Sequence, residues 1–271
     1  MNPYLVLAIG VFFVSTSAIL VKVSTAPSGT IAFYRLFFSV VFLLPIFLRK
    51  YLPEIKLIKK KDWFFSILAG IFLAFHFILW FESLNYTSVA SSTVLVTLQP
   101  IFAFAGTYLF FKEKYTIKAI VSAILAIVGS IIISWGDFKI SGSALFGDIL
   151  ALIACALVTA YLMFGQSVRQ RLSLVAYTFV VYFISTATLF IYVLINGDPL
   201  FSFERENWIY FILLAIFPTL LGHSLFNWSL KWLSTSTISM AILLEPVGAT
   251  VLAYFLLKES IYLFQIIGGM I

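Results

Sequence analysis

The chain carries little charge and almost no cysteine. Charged residues make up 10% of its 271 residues, whereas about 25% is usual for a soluble domain. This shortage excludes an ordinary water-soluble fold. The single cysteine, Cys155, excludes an intrachain disulfide and a thiolate metal site. The longest stretches between apolar runs, 49–62 and 196–207, are too short to fold alone, and no nucleotide-binding motif is present.

The chain consists instead of long apolar runs. Hydrophobic residues make up 62% of the sequence, and the mean hydropathy is +1.10. Runs near 20 residues recur, and ~20 residues are what a helix needs to cross the bilayer core. Barrel strands would alternate apolar with polar residues, which these runs do not do. We therefore predict an all-α polytopic membrane protein with ten transmembrane helices.

Nine complete spans are predicted from the apolar runs. They lie at roughly 4–21, 30–48, 63–81, 89–111, 116–135, 147–166, 174–195, 208–227 and 237–257. A tenth begins near 263 and is truncated at Ile271. We expect about ten further apolar residues and then a cytoplasmic tail in the full gene product, because the residues from 263 onward are too few to cross the core.

One block of the sequence occurs twice at a constant offset of 146 residues. The identical pairs are Leu79/Leu225, Ser83/Ser229, Leu84/Leu230, Ser88/Ser234, Leu98/Leu244, Pro100/Pro246, Ala103/Ala249, Tyr108/Tyr254, Lys112/Lys258, Glu113/Glu259 and Ile120/Ile266. These are 11 identities in 42 ungapped columns. We interpret residues 1–137 and 147–271 as two copies of one five-helix unit, joined by a linker at 136–146. Because five is odd, the second copy is predicted to be inverted relative to the first.

The positive charges are distributed unevenly between the two membrane faces. Of the 17 Lys and Arg residues, 12 fall in loops on one side and 4 on the other. This bias predicts a cytoplasmic amino terminus in the plasma (inner) membrane. The run Lys59-Lys60-Lys61 is interpreted as an orientation signal that also attracts anionic lipid, not as a nucleic-acid patch. The remaining cation, Arg35, lies within the second span, and we expect it to snorkel to the interface.

Several short motifs together resemble the EamA-type branch of the drug/metabolite transporter superfamily. They are Tyr34-Arg35 in the second span, Gly147-Asp148 opening the sixth, Leu98-x-Pro100 in the fourth, Leu244-Glu245-Pro246 in the ninth, and Lys-Glu closing both. The resemblance covers essentially the whole chain. It implies ten helices in two inverted repeats, export of small metabolites such as amino acids, and a central cavity lined by the first, third, fourth, sixth, eighth and ninth helices. The paired late basic residues expected for phosphate-sugar or nucleotide-sugar substrates are absent.

Glu245 is the sharpest candidate for a substrate-binding or proton-binding residue. It lies near the middle of the ninth span, where an ionised carboxylate costs ~2.5–3.5 kcal/mol and should face the bundle, pair or be protonated. Its repeat mate is Gln99, so the two halves differ chemically here. For Glu245 and Gln99 alike, the alternative role is a structural hydrogen bond to a neighbouring helix. Pro100 and Pro246 follow them and are predicted to kink their helices, either to free carbonyls for the cavity or for packing alone.

Two pairs of polar residues lie on helices of the implied cavity. His76 shares a helix face with Trp80, and His223 shares one with Asn227. Each His is a candidate pathway residue, with a hydrogen bond to a backbone carbonyl as the alternative. Neither His nor Glu245 shows metal-ligand spacing, so no metal is expected. Weaker candidates for the cavity wall are Tyr161 and Ser15.

Together, these features predict a secondary transporter that exports a small amphipathic metabolite, such as an amino acid, by alternating access. Its expected partners are a small-molecule substrate and the lipid bilayer, with protons as a candidate coupling ion. No cofactor and no nucleic acid are expected. A membrane-embedded enzyme is one alternative, but no cluster of acid, His or Ser residues marks one membrane face. A non-transporting membrane subunit is the other, and the mid-span polar residues argue against it.

Overall fold

The computed structural model of the protein describes residues 2–133, 142–258 and 262–271. Within these ranges every regular element is helical. The α-helices are α1 (Pro3–Val14), α2 (Ser17–Val23), α3 (Ser28–Ile46), α4 (Lys60–Ser83), α5 (Val89–Thr97), α6 (Gln99–Phe111), α7 (Ile117–Ile133), α8 (Gly142–Val168), α9 (Leu174–Asn196), α10 (Arg205–Leu214), α11 (Ser224–Ser229), α12 (Thr235–Ile242), α13 (Glu245–Leu257) and α14 (Leu263–Met270). Phe47–Tyr51 and Ala215–His223 are π-helical, and Leu52–Leu57 is a 3₁₀ helix.

Within the described residues, eight helical segments are long and apolar enough to cross a membrane. They are Pro3–Val23, Ser28–Leu57, Lys60–Ser83, Val89–Phe111, Gly142–Val168, Leu174–Asn196, Arg205–Ser229 and Thr235–Leu256. The fifth predicted span is present as the shorter apolar helix α7, and the start of the tenth as α14. The prediction of an all-α polytopic membrane protein is therefore confirmed. The count of ten helices stays a prediction. Much of the predicted linker, including Gly136, Asp137, Lys139 and Ser141, lies outside the described residues, as does Glu259.

In the numbering of the predicted spans, which is kept below, the fourth span (89–111) and the ninth span (237–257) are each broken near the middle. Helix α5 ends at Thr97 and α6 begins at Gln99, while α12 ends at Ile242 and α13 begins at Glu245. Each proline, Pro100 or Pro246, occupies the second position of the following half-helix, where its missing N–H costs no intrahelical bond. Gln99 and Glu245 therefore lie at helix amino termini, where free amide groups and the helix dipole favour negative charge.

Local structure recurs in the two halves at the sequence interval of 146 residues. Helices α6 and α13 have corresponding bounds. Ser88 and Ser234 cap the amino termini of α5 and α12, and each accepts a hydrogen bond from the backbone amide three residues later. Lys112 and Lys258 both adopt a left-handed backbone conformation, with φ of 57° and 56°. The copies thus share helix breaks, caps and helix ends as well as sequence.

The first span packs closely against the eighth and ninth spans. A Cβ atom at Gly222 would lie 2.5 Å from Val14 Cγ2, and one at Gly248 would lie 2.3 Å from Ser15 Oγ. Small residues let membrane helices approach in this way. The middle of the first span is therefore pressed between helices of the second half of the chain, and this contact positions the central site.

Candidate functional site

A small cavity lies among six spans near the middle of the bundle. Its volume is ≈ 20 Å³, room for about one water molecule. Its wall is formed by Val14, His76, Trp80, Val96, Gln99, Val158, Leu162, His223, Phe226, Ile242 and Glu245. These residues come from the first, third, fourth, sixth, eighth and ninth spans. They are the same six helices that the family resemblance implied as the lining of a central cavity.

Only some of the eight predicted substrate-binding residues line this cavity. Five of them line the cavity, namely His76, Trp80, Gln99, His223 and Glu245. Two more form a pair in the adjoining core, where Asn227 Nδ2 donates to Tyr161 Oη at 2.5 Å. The last, Ser15, donates its hydroxyl to the backbone carbonyls of Val11 and Glu245 at 2.9 and 3.3 Å. Ser15 therefore joins two helices and does not face the cavity.

Three polar atoms of the cavity wall have no hydrogen-bond partner among the described residues. They are Trp80 Nε1, Gln99 Oε1 and His223 Nδ1. A buried polar atom without a partner costs about 1–3 kcal/mol, and three such atoms around one small space are unusual in a packed core. A water molecule or a polar ligand in the cavity would satisfy them. The wall thus offers free donor and acceptor positions beside the carboxyl group of Glu245.

The two histidines differ in their bonding. His76 Nδ1 lies 2.9 Å from the carbonyl oxygen of Ala154, so the ring donates there and its Nε2 is an acceptor in the neutral form. The hydrogen bond to a carbonyl that the sequence left as an alternative is therefore present at His76. His223 has an unpartnered Nδ1, and its ring centroid lies 6.4 Å from that of His76.

The π-helical segment Ala215–His223 carries His223 at its last position. The segment contains Pro218, and the hydroxyl of Thr219 donates to Leu214 O, five residues back, at 2.8 Å. Such bulges in α-helices occur frequently at functional sites, because they change which face a side chain takes. Here the bulge ends at His223, the first cavity-lining residue of the eighth span.

Arg35 is the site residue that sequence reasoning missed. The prediction that it snorkels to the interface is wrong, because its side chain is fully buried, at 0% exposure. Its Nε donates to Thr219 Oγ1 at 2.7 Å and its Nη1 donates to Ser17 Oγ at 2.8 Å. The guanidinium carbon lies 4.0 Å from the ring centre of Phe77. Two hydroxyl groups and an aromatic face replace the water that snorkelling would have provided.

One aromatic layer separates Arg35 from the central cavity. The ring of Phe77 lies against the guanidinium on one side, and its centroid is 5.4 Å from that of His223. Arg35 Nη2 has no partner among the described residues. Arg35 and Glu245, whose side chains carry opposite charges when ionised, lie on the two sides of this layer. The two do not form an ion pair. Among the described residues, the one ion pair joins Arg171 to Asp62.

A polar cluster around Glu113 ties together the ends of three cavity-lining spans. The carboxylate accepts hydrogen bonds from Tyr115 Oη at 2.9 Å, Gln166 Nε2 at 3.2 Å and Ser236 Oγ at 3.2 Å. Gln166 Oε1 in turn accepts from the amide of Thr235 at 2.7 Å. Burial raises the pKa of the Tyr115 phenol, which keeps it a donor. The cluster therefore links α6 of the first half to α8 and α12 of the second.

The fold and the site together define a polytopic α-helical membrane protein with two broken spans and polar side chains around a small central cavity. The model of the EamA-like transporter family matches the chain twice, at residues 1–135 and 145–271. The chain belongs to this family.

The relatives of the chain are also transporters by name. It is 28% identical over 192 residues to an uncharacterized transporter of Clostridium kluyveri, a match that covers 69% of this chain and 61% of that protein. It is 26% identical over 195 residues to the uncharacterized transporter YxxF of Bacillus subtilis, covering 71% and 62%. The chain thus spans about three-fifths of the length of these two relatives.

A solved structure supports the fold. The chain matches a protein crystal structure with a TM-score of 0.81 at 14% sequence identity, over 99% of this chain and 93% of the other. At this identity the likeness concerns the fold alone.

Proposed function

We propose that the protein is a secondary transporter that moves a small amphipathic metabolite, such as an amino acid or a related compound, outward across the plasma membrane. The observation that carries this proposal is the meeting of Gln99 and Glu245, each at the start of a half-helix, at one buried cavity with His76 and His223. Transporters with repeated halves bind their substrates near the bilayer midplane at discontinuous helices of this kind. Membership of a transporter family supports the same activity.

The side chains of the cavity suit a substrate with a cationic amine and an apolar part. Glu245 supplies a carboxylate for an amine or for a proton that exchanges with the substrate. Trp80 and Phe226 supply apolar surface, while Gln99 and Trp80 Nε1 supply free hydrogen-bonding atoms. Arg35 supplies the counter-charge for Glu245 from behind Phe77. In this scheme Glu245, Gln99, His76, Trp80 and His223 contact the substrate.

Transport requires a larger cavity than the described conformation has. A volume of ≈ 20 Å³ is far below the ~300–1,000 Å³ of small-molecule sites, so the helices must separate for a substrate to enter. The proposed motion exchanges the conformations of two inverted five-helix copies, residues 1–137 and 147–271. The repeated helix breaks and caps support this arrangement, and so does the double family match.

A flux assay tests the proposal against its two alternatives. The purified protein is reconstituted into liposomes and screened for counterflow of labelled amino acids and amphipathic amines, with protein-free liposomes as the control. We expect saturable flux of one compound or a small group of related compounds. Chemical conversion of a compound without flux would instead indicate a membrane-embedded enzyme. Folded protein that moves no compound in the panel would favour a non-transporting subunit.

The inverted topology predicts the accessibility of single cysteines. Cysteines at Lys60 and at Gln170, both exposed, should react with an impermeant thiol reagent from the cytoplasmic side, and one at Arg205 should react from outside. Position 170 is chosen over the neighbouring Arg169, one of the cations counted on the cytoplasmic side, because Arg169 is buried, with Nε donating to Asn227 O at 2.8 Å. The native Cys155 is fully buried and gives little background. Labelling of positions 60 and 205 from the same side would contradict the inverted topology.

A further inference from the structure

A second cavity lies between α4, α6 and α8 and shares no wall residue with the central one. Its volume is ≈ 440 Å³, within the ~300–1,000 Å³ range of small-molecule sites. Five phenylalanines form most of its wall, namely Phe65, Phe72, Phe110, Phe111 and Phe164. The ring of Phe164 packs on both Phe65 and Phe72, with centroids 5.2 and 5.8 Å apart. The apolar wall of this cavity therefore consists of these five aromatic rings together with Ala160 and Met163.

The polar residues of the cavity lie at one membrane face. Lys61 is in the first turn of α4, and Ser167 is in the last turn of α8. From Lys61 to Phe72 the helix rises ~16 Å, about half of the ~30 Å hydrocarbon core. The cavity therefore extends from the interface through roughly one leaflet. Phe110, at its rim, is 77% exposed, so the cavity is accessible from the bilayer side.

Lys61 carries a positive charge at the mouth of the cavity, and Lys59 and Lys60 precede it in the chain. Lys59, Lys60 and Lys61 are all exposed, and none of them forms an ion pair within the described part of the chain. The neighbouring carboxylate, Asp62, is buried and already paired with Arg171. Lys61 Nζ lies 5.3 Å from the ring centre of Phe65, directly at the start of the aromatic wall. The mouth therefore carries the charge of Lys61, and the carboxylate that follows it in sequence is bound to another residue.

We propose that this cavity is a binding site for an anionic phospholipid. One acyl chain lies against the phenylalanines, and the phosphate lies among Lys59, Lys60 and Lys61. Basic side chains at the membrane surface attract anionic headgroups. The arrangement favours a lipid over a small polar metabolite, because both polar wall residues lie at the mouth and the depth corresponds to one leaflet. The site is separate from the proposed transport pathway.

Lipid retention tests this assignment independently of transport. The protein is reconstituted in phosphatidylcholine with a minor fraction of phosphatidylglycerol, re-extracted in mild detergent and examined by native mass spectrometry. We expect the wild type to retain phosphatidylglycerol selectively. Lys61→Gln should reduce this retention about fivefold, the effect of one basic residue near an anionic surface. Lys118→Gln, a change at an exposed lysine outside the cavity wall, should not reduce it.

A second variant tests the acyl-chain part of the site. Ala160 is a small residue of the wall, and Ala160→Leu should block the chain and reduce retention while all the lysines remain. If Ala160→Leu does not fold, the retention measured for Lys61→Gln alone decides whether the proposal holds. Equal retention of phosphatidylcholine and phosphatidylglycerol by the wild type would overturn the proposal. So would a bound free fatty acid in place of the phospholipid, or unchanged retention in Lys61→Gln.

Discussion

Glu245→Gln should reduce transport by about tenfold or more while the yield of folded protein stays near that of the wild type. The substitution keeps the shape and the hydrogen-bonding capacity of the side chain but removes the charge. Hydrogen bonds to charged groups contribute ~1.5–3 kcal/mol, which corresponds to ~10- to 100-fold in binding. The measurement is initial flux in proteoliposomes as a function of substrate concentration and pH, normalised to folded protein.

Two further variants separate a functional role of Glu245 from a structural one. Glu82→Gln changes a half-buried carboxylate at the end of α4, outside the cavity wall, and should leave flux unchanged. Glu245→Leu removes the hydrogen-bonding group as well as the charge. If Glu245 had only a structural role, the Glu245→Gln protein would transport almost normally, and Glu245→Leu would mainly lower the yield of folded protein. Normal and still pH-dependent flux in Glu245→Gln would rule out the proposed role.

Arg35→Gln should lower both stability and transport. The side chain makes two hydrogen bonds, to Ser17 in the first span and Thr219 in the eighth, and it stacks on Phe77 in the third. Losing the two hydrogen bonds from a charged donor should cost about 3 kcal/mol. Because the same change removes the counter-charge, the pH dependence of flux should shift as well. Thermal unfolding in detergent and pH-resolved flux measure the two effects.

The substitution Arg35→Lys separates the charge from the hydrogen bonds. Lysine keeps the positive charge, but its single ammonium group does not reproduce the fork that reaches Ser17 and Thr219 together. We therefore expect Arg35→Lys to lose stability and yet keep a pH profile close to that of the wild type. Lys118→Gln, at an exposed cation of α7, is the control and should change neither. An identical pH profile in Arg35→Gln and the wild type would contradict a counter-charge role.

The spans were predictable because they depend on local properties of the chain. The fourth span was predicted at 89–111, and the structure has Val89–Phe111. Run length and hydropathy suffice for this, since the thickness of the hydrocarbon core sets the length of a crossing helix. The burial of Glu245 was predictable for a related reason. A mid-span carboxylate exposed to lipid is costly, so its general location follows from one residue and its position in the run.

The direction of Arg35 was not predictable from the run around it. An arginine several residues inside a span can reach the interface or turn inward, and the choice depends on the groups that neighbouring helices offer. Here Thr219 lies 184 residues away in sequence and belongs to a π-helical segment that the apolar pattern did not indicate. Ser15 shows the same limit. Its hydroxyl packs against Gly248 at the carbonyl of Glu245, and only the helix contact reveals this.

The sequence by itself determined that this chain is a helical membrane protein, where its described spans lie, and which mid-span residues are costly enough to be candidates for function. These depend on local hydropathy and on the cost of placing polar groups in hydrocarbon. The tertiary structure decided which candidates share a cavity, that Arg35 turns inward, and that a separate, largely aromatic cavity opens beside Lys61. These depend on contacts between distant helices, where each polar group takes whatever partner the packing places beside it.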